Sequence, residues 1–305
     1  MSPRQRFAGL HPNLQGAAWM VAAATVFSIN GVLVKELAAG GLSFWQVAFA
    51  RAFFALLPLL PFVWRNGAAA FRTTYPATHL LRALFGAGAM TAGFYALSRL
   101  PLALVTAIGF TSPLFTIVLS ALVLRELVRW RRWSATAIGF LGMLVMVRPG
   151  GAGFDPAMLA AVGMALGTAC AVILVKRFPK GESQTAMLVW FCVTSILTSA
   201  GPAVHVWQDP TAVQWLLLVG VGVVGVAAQA MIVNAYRTGE ASFVASFDYS
   251  RLLGAAVLGF AFFAEVPDLY TLLGAAIIVG SSLYIAHREA QLGKQAPPAT
   301  VVGRG

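Results

Sequence analysis

Three ionisable side chains stand where an apolar chain has least reason to carry them. Asp248 and Arg251 lie in ASFDYSRLLGAAVL, and Arg51 lies in FARAFFALL; both stretches are otherwise small or greasy. A charge at the centre of a membrane helix costs roughly 2.5–3.5 kcal/mol on insertion scales, so such groups face a bundle interior or a wet cavity. Arginine there offers a rigid fork of donors that matches a carboxylate or phosphate. Aspartate offers an acceptor for an amine, or a structural partner for the arginine one helical turn away. Two arginines against one aspartate leave the interior net positive, which favours a zwitterionic or anionic solute over a lipophilic cation. Asn30, Gln229, Asn234, Tyr95 and Tyr249 add amides and phenols at membrane depth, where such groups either join helices or line a solute path. These eight residues form the candidate substrate-binding set.

The elements that must carry them follow from composition. Of the 305 residues, 59% are hydrophobic and 10% charged, against about 25% charged in soluble domains. Too few polar residues are present to cover a water-facing surface, so the class is an all-α integral membrane protein. Apolar runs of spanning length fall near 14–34, 42–63, 80–98, 102–124, 134–148, 157–175, 184–205, 214–234, 242–264 and 270–286. With the N-terminus inside, 16 of the 21 basic residues fall on inside segments, whereas Lys35, Arg99 and Arg148 fall outside. That bias predicts ten spans in the plasma (inner) membrane with both termini cytoplasmic. Trp45, Trp64, Trp130, Trp133 and Trp207 fall near span ends, where indoles anchor to the interface.

The two halves repeat each other. VLVKEL (32–37) closes the first run and ILVKRF (173–178) the sixth; FTSPLFTIVLSALVLRE (110–126) closes the fourth and YSRLLGAAVLGFAFFAE (249–265) the ninth. GFLGMLV (139–145) and GAAIIVG (274–280) occupy the fifth and tenth. Five spans per repeat is odd, so the second copy enters the membrane upside down. The expected division is a first repeat over 1–150, a second, inverted repeat over 151–290, and a disordered cytoplasmic tail over 291–305. Inverted repeats around a midplane site are characteristic of secondary transporters.

On these features the chain resembles a ten-span member of the drug/metabolite transporter superfamily, of the EamA type. The carriers are Arg51 in the second run, the SPLF turn with Pro113 in the fourth, the glutamates Glu126 and Glu265, and the glycine-rich fifth and tenth runs. The resemblance implies a central cavity lined by runs one to four and six to nine, with five and ten packed outside. The ninth run departs from its repeat partner: Arg251 stands opposite Ser112, and Leu252 opposite Pro113.

The expected function is transport of a small polar metabolite, amino-acid-like or cofactor-like, by alternating access. The alternatives are a membrane scaffold subunit and, least favoured, a membrane enzyme. No nucleophile–base pair or metal-ligand cluster is recognisable, no cofactor or metal is implied, and no GxxxxGK[ST] motif suggests ATP drive. The basic residues are scattered rather than gathered on one module, which excludes nucleic acid as a partner. The partners are the bilayer and the solute, with homodimer formation left open.

Overall fold

A computed structural model describes residues 11–295 except 61–63, 65–66, 68–72, 126, 129, 150, 152, 178–183, 240–242 and 245–246. Among the described residues eleven α-helices run α1 (Pro12–Ala39), α2 (Phe44–Ala55), α3 (Pro76–Arg99), α4 (Leu102–Gly109), α5 (Ser112–Val123), α6 (Trp130–Val147), α7 (Ala157–Val175), α8 (Gln184–His205), α9 (Ala212–Thr238), α10 (Ser250–Phe263) and α11 (Leu269–Gln295). They fall on the ten apolar runs, with α4 and α5 sharing the fourth. Six helical stretches are long and apolar enough to cross a membrane, and four shorter apolar ones lie over the second, fifth, ninth and tenth runs.

The boundaries shift where backbone chemistry intervenes. Helix α2 stops at Ala55 and passes into a 3-10 turn over Leu57–Leu59, because Pro58 has no N–H to continue the ladder. The fourth run breaks at Phe110–Thr111, just before Pro113. The ninth run contains no proline, and an unbroken helix over 242–264 is the sequence expectation. Instead Asp248 and Tyr249 lie in a turn ahead of α10. There Phe247, Ser250, Arg251 and Leu252 each donate a backbone bond three residues back, a tighter ladder than the α-helix. Helix α10 ends at Ala264, whose φ of +53° is left-handed, and Glu265 N–H returns to Gly259 O. That reversal is a glycine-type stop made by alanine. Helix α11 continues to Gln295, into the stretch expected to be tail; residues 296–305 lie outside the described residues.

Small residues set the packing. Helix α1 lies along α9, α3 along α7, and α6 along α11; α2 meets α8 and α9, α3 meets α8, α10 packs on α1 and α4, and α5 on α7. Of Gly163 and Gly167, which form a GxxxG on α7, a side chain at Gly167 would press on Ala89 and the Phe85 carbonyl, whereas Gly163 faces open space. Gly142 and Gly274 meet through each other's carbonyls, closing the α6–α11 crossing. Such close backbone approach is how helices associate in a solvent that supplies no hydrophobic drive.

Candidate functional site

The break before α10 sets out a small polar site. The Arg251 guanidinium lies 3.6 Å from Asp248, Nη2 to Oδ2. At that separation the two form an ion pair without a hydrogen bond. Both side chains are about 30% exposed (29% and 30%). Asp248 Oδ1 and Arg251 Nε are buried with no hydrogen-bond partner among the described residues. The same guanidinium sits over two rings, Phe110 at 5.0 Å and Phe27 at 5.6 Å. Phe110 in turn packs against Tyr249 with ring centroids 4.8 Å apart. The Ser28 hydroxyl reaches Arg251 O at 3.1 Å, tying the middle of α1 to the break. One acid, one base and three aromatic faces thus converge, with one donor and one acceptor unused.

Arg51 occupies a separate berth. Its Nη1 contacts Met90 Sδ, its guanidinium lies 5.8 Å from the Phe94 ring, and a side chain at Gly225 would crowd its Nε and Nη2 at 3.3 Å. Gly225 therefore lets the planar group lie flat on α9. The Cys192 thiol on α8 is an electrostatic neighbour, and Arg51 Nε is likewise without a partner among the described residues.

The softer candidates divide. Asn30 is buried and donates to Val221 O at 2.8 Å, joining α1 to α9. Tyr95 meets Phe44 edge-on at 5.2 Å and carries the Arg99 guanidinium at 5.9 Å; it borders the same apolar cluster as Tyr249. Gln229 and Asn234 are exposed on α9. Gln229 shares its face with Gly225, one turn before it, and with Tyr236, two turns after. Because Arg51 lies against Gly225, that face begins at Arg51.

Sequence reasoning missed Phe27, Phe110 and a clasp elsewhere. Lys35 pairs with Glu265 and donates to Leu100 O at 2.7 Å, while Glu265 Oε2 accepts the Leu102 N–H at 2.8 Å. The carboxylate thereby caps the open N-terminus of α4. The two charged side chains are only 16% and 15% exposed. At the same end Gln46 exchanges bonds with the Gln208 backbone, and Gln214 donates to Gly40 O. Arg148 bonds Asp268 at 2.6 Å and lies 4.4 Å from the Tyr270 ring. Partial burial works against the Asp268 charge, but hydrogen bonds from Thr271 and the Arg148 guanidinium hold its carboxyl below the usual range.

The EamA-like transporter family matches twice, over residues 14–148 and 155–286. An S-adenosylmethionine uptake transporter of Rickettsia prowazekii is 33% identical over 276 residues, 90% of this chain and 94% of its own. A riboflavin transporter of Vibrio cholerae is 35% identical over 283 residues, 92% of this chain and 95% of its own. A crystal structure at 20% identity superposes with a TM-score of 0.59 over 90% of this chain and 98% of the other, a likeness of fold. The family match covers nearly the whole helical chain in two copies, and it makes this protein a transporter rather than an enzyme: it belongs to the EamA-like transporter family.

Proposed function

We propose that the protein is a secondary transporter that moves an amino-acid-bearing metabolite with an aromatic ring; S-adenosylmethionine, a zwitterionic amino acid whose sulfonium adds a further positive charge for Asp248 to meet, is the first candidate. The loosely joined Asp248–Arg251 pair, set among Phe27, Phe110 and Tyr249, is the observation that carries this reading. The substrate carboxylate meets Arg251, in the positive field that Arg51 reinforces. Its ammonium or sulfonium meets Asp248 and the aromatic faces, which attract cations. Its ring stacks in the same aromatic wall. Two differently charged ends of one solute would use the donor and acceptor that the pair leaves idle. Riboflavin is the second reading, favoured by the Vibrio relative. It lacks a carboxylate and an ammonium group, so it gives the ion pair no task.

The architecture we propose is ten spans in two inverted five-helix repeats, both termini cytoplasmic, in the inner membrane. The main helix pairs support it, because exchanging each run with the one five places on maps them onto one another, although weaker pairs such as α1–α3 and α2–α3 have no such counterpart among the described residues. The α1–α9 pair becomes α7–α3, α3–α8 becomes α9–α2, and α10–α1 becomes α5–α7; α2–α8, α4–α10 and α6–α11 map onto themselves. Phe110 and Tyr249, equivalent in the repeat, meet each other as residues beside a pseudo-twofold axis would. Alternating access then has a natural lock. The Lys35–Glu265 clasp shuts the outer end, and Lys176 and Glu126 hold the matching places in the other half. Lys176 donates to Ser120 at 3.3 Å and is exposed, unlike Lys35.

The test is counterflow in proteoliposomes. Preloaded S-adenosylmethionine is expected to drive uptake of labelled S-adenosylmethionine, and riboflavin to compete weakly. Competition by riboflavin as strong as by S-adenosylmethionine, together with full activity of Arg251→Gln and Asp248→Asn, would overturn the substrate assignment. No flux of either compound, with normal folding, would also overturn the substrate assignment and point to a different solute.

A further inference from the structure

We infer that a cleft between α6 and α11 is a binding site for one anionic phospholipid of the cytoplasmic leaflet; only the choice of leaflet rests on the orientation proposed above. The two helices are pinned together where Gly142 meets Gly274 and Gly139 meets Ser281. Beyond that crossing they leave a cavity of about 360 Å³ among Trp130, Arg131, Ser134, Gly280, Ser281 and Tyr284. A side chain built at Gly280 would meet nothing, so the floor of the cleft is open. Its hydroxyls are turned inward to their own helices, Ser134 to Trp130 O and Ser281 to Ile278 O. What they present to the cleft is an apolar floor suited to an acyl chain.

The rim has the opposite character. Arg131 lies over the Trp130 ring at 5.6 Å, and both are exposed, as is the Tyr284 phenol. An indole and a phenol flanking a guanidinium form an arrangement suited to the headgroup level of a bilayer. The surrounding sequence, RELVRWRRW, puts four arginines within eight positions. Basic pockets between spans on the cytoplasmic side select anionic headgroups. A second copy of this chain would be the other occupant of such a face, but a symmetric contact would set Arg131 of one copy against Arg131 of the other, and like charges across an interface are costly. Charge complementarity therefore selects the lipid.

The full chain is reconstituted in phosphatidylcholine vesicles and titrated with phosphatidylglycerol whose acyl chains carry bromine, an indole quencher. Brominated phosphatidylcholine is the control, and the signal is the emission lost in Trp130→Phe. Phosphatidylglycerol is expected to quench Trp130 at about fivefold lower mole fraction, the factor for one basic residue at an anionic surface. Arg131→Gln should bring the two lipids to parity. Gly280→Leu, or Ser134→Leu from the opposite wall, should suppress Trp130 quenching by both lipids, because the cleft is filled. Equal quenching by both lipids in the parent protein would overturn the proposal. So would a preference that survives both leucine variants, which would mean diffuse enrichment at the surface. Protection of Trp130 from both lipids in a dimeric protein would assign the face to a second copy and overturn it too.

Discussion

The molecule contains two arginine–aspartate pairs that share chemistry and little else. Arg148 and Asp268 sit at the end of the bundle with side chains 28% and 44% exposed, in hydrogen-bond contact at 2.6 Å, backed by Thr271 and Tyr270. Arg251 and Asp248 sit deep in the apolar run at 3.6 Å, without a hydrogen bond and each with an idle polar atom. The two arginines are about equally sheltered, 28% and 29% exposed, and each leaves its Nε without a partner among the described residues; what separates the pairs is that Arg148 makes its hydrogen bond to Asp268 and Arg251 does not make one to Asp248. A purely structural pair would be expected to close in the interior, since an unmade bond there costs about 1–3 kcal/mol. The open geometry is what a site needs if its third partner is the substrate. Arg51 marks a third case, a guanidinium held by sulfur, a ring and a glycine surface.

The largest effect should come from Arg251→Gln. Arg251 is placed to meet the substrate carboxylate, and a hydrogen bond to a charged group is worth about 1.5–3 kcal/mol, so uptake efficiency should fall at least about tenfold. Asp248→Asn should follow closely. The double variant Arg251→Gln/Asp248→Asn sharpens the contrast, because it removes the uncompensated charge. It is expected to recover thermal stability without recovering flux. Recovery of both in a transport assay would reduce the interior pair to the same structural role as Arg148–Asp268. Next comes Arg51. Its contribution is a field rather than a contact, so Arg51→Gln should lower efficiency about tenfold and Arg51→Lys much less. Equal losses in the two variants would shift the weight to the planar group that Gly225 accommodates.

How much of this was legible in the sequence differs by residue. Arg51, Asp248 and Arg251 stood out because charge is costly in an apolar run, and the same cost keeps such residues few. Their aromatic partners did not stand out: with 21 phenylalanines in the chain, nothing in composition separates Phe27 or Phe110 from packing residues. The repeat offered one signal, since it aligns Phe110 with Tyr249. The turn before α10 was invisible because no proline announces it, and it is held by backbone bonds that any sequence can make. The Lys35–Glu265 clasp joins residues 230 positions apart. Sequence placed Lys35 outside the membrane and Glu265 at its edge, and only tertiary contact brings them together.

That clasp supplies a third, smaller test of what burial does to an ion pair. Its two charges are more sheltered than either arginine–aspartate pair and, unlike the interior one, well bonded. Lys35→Gln and Glu265→Gln should each relax closure of that end by about 1 kcal/mol, roughly a fivefold shift between two conformations. Labelling of Ser28→Cys by an impermeant thiol reagent from the outer side, in a Cys170→Ser/Cys192→Ser background, reads that shift. Faster labelling is the expected result. Unchanged labelling in both variants would leave the clasp a packing contact with no bearing on access.

The smallest effect belongs to the exposed pair, and its sign can be worked out. The Asp268 carboxyl is held below its ordinary range in the folded protein, despite the opposing pull of partial burial. Its contribution to stability is therefore complete above the ordinary carboxylate range. It fades as pH falls through the depressed folded value, because below both values neither state gains from ionisation. A surface pair of this exposure is worth about 1 kcal/mol or less, and salt screens it further. Asp268→Asn should flatten the acid limb of a thermal-stability profile by that small amount, more at low salt than at high, and leave transport at neutral pH intact. Loss of neutral-pH transport in Asp268→Asn would mean that the exposed pair, too, takes part in the transport cycle, and the distinction between a hydrogen-bonded pair that holds the bundle and an open pair that holds the substrate would fail.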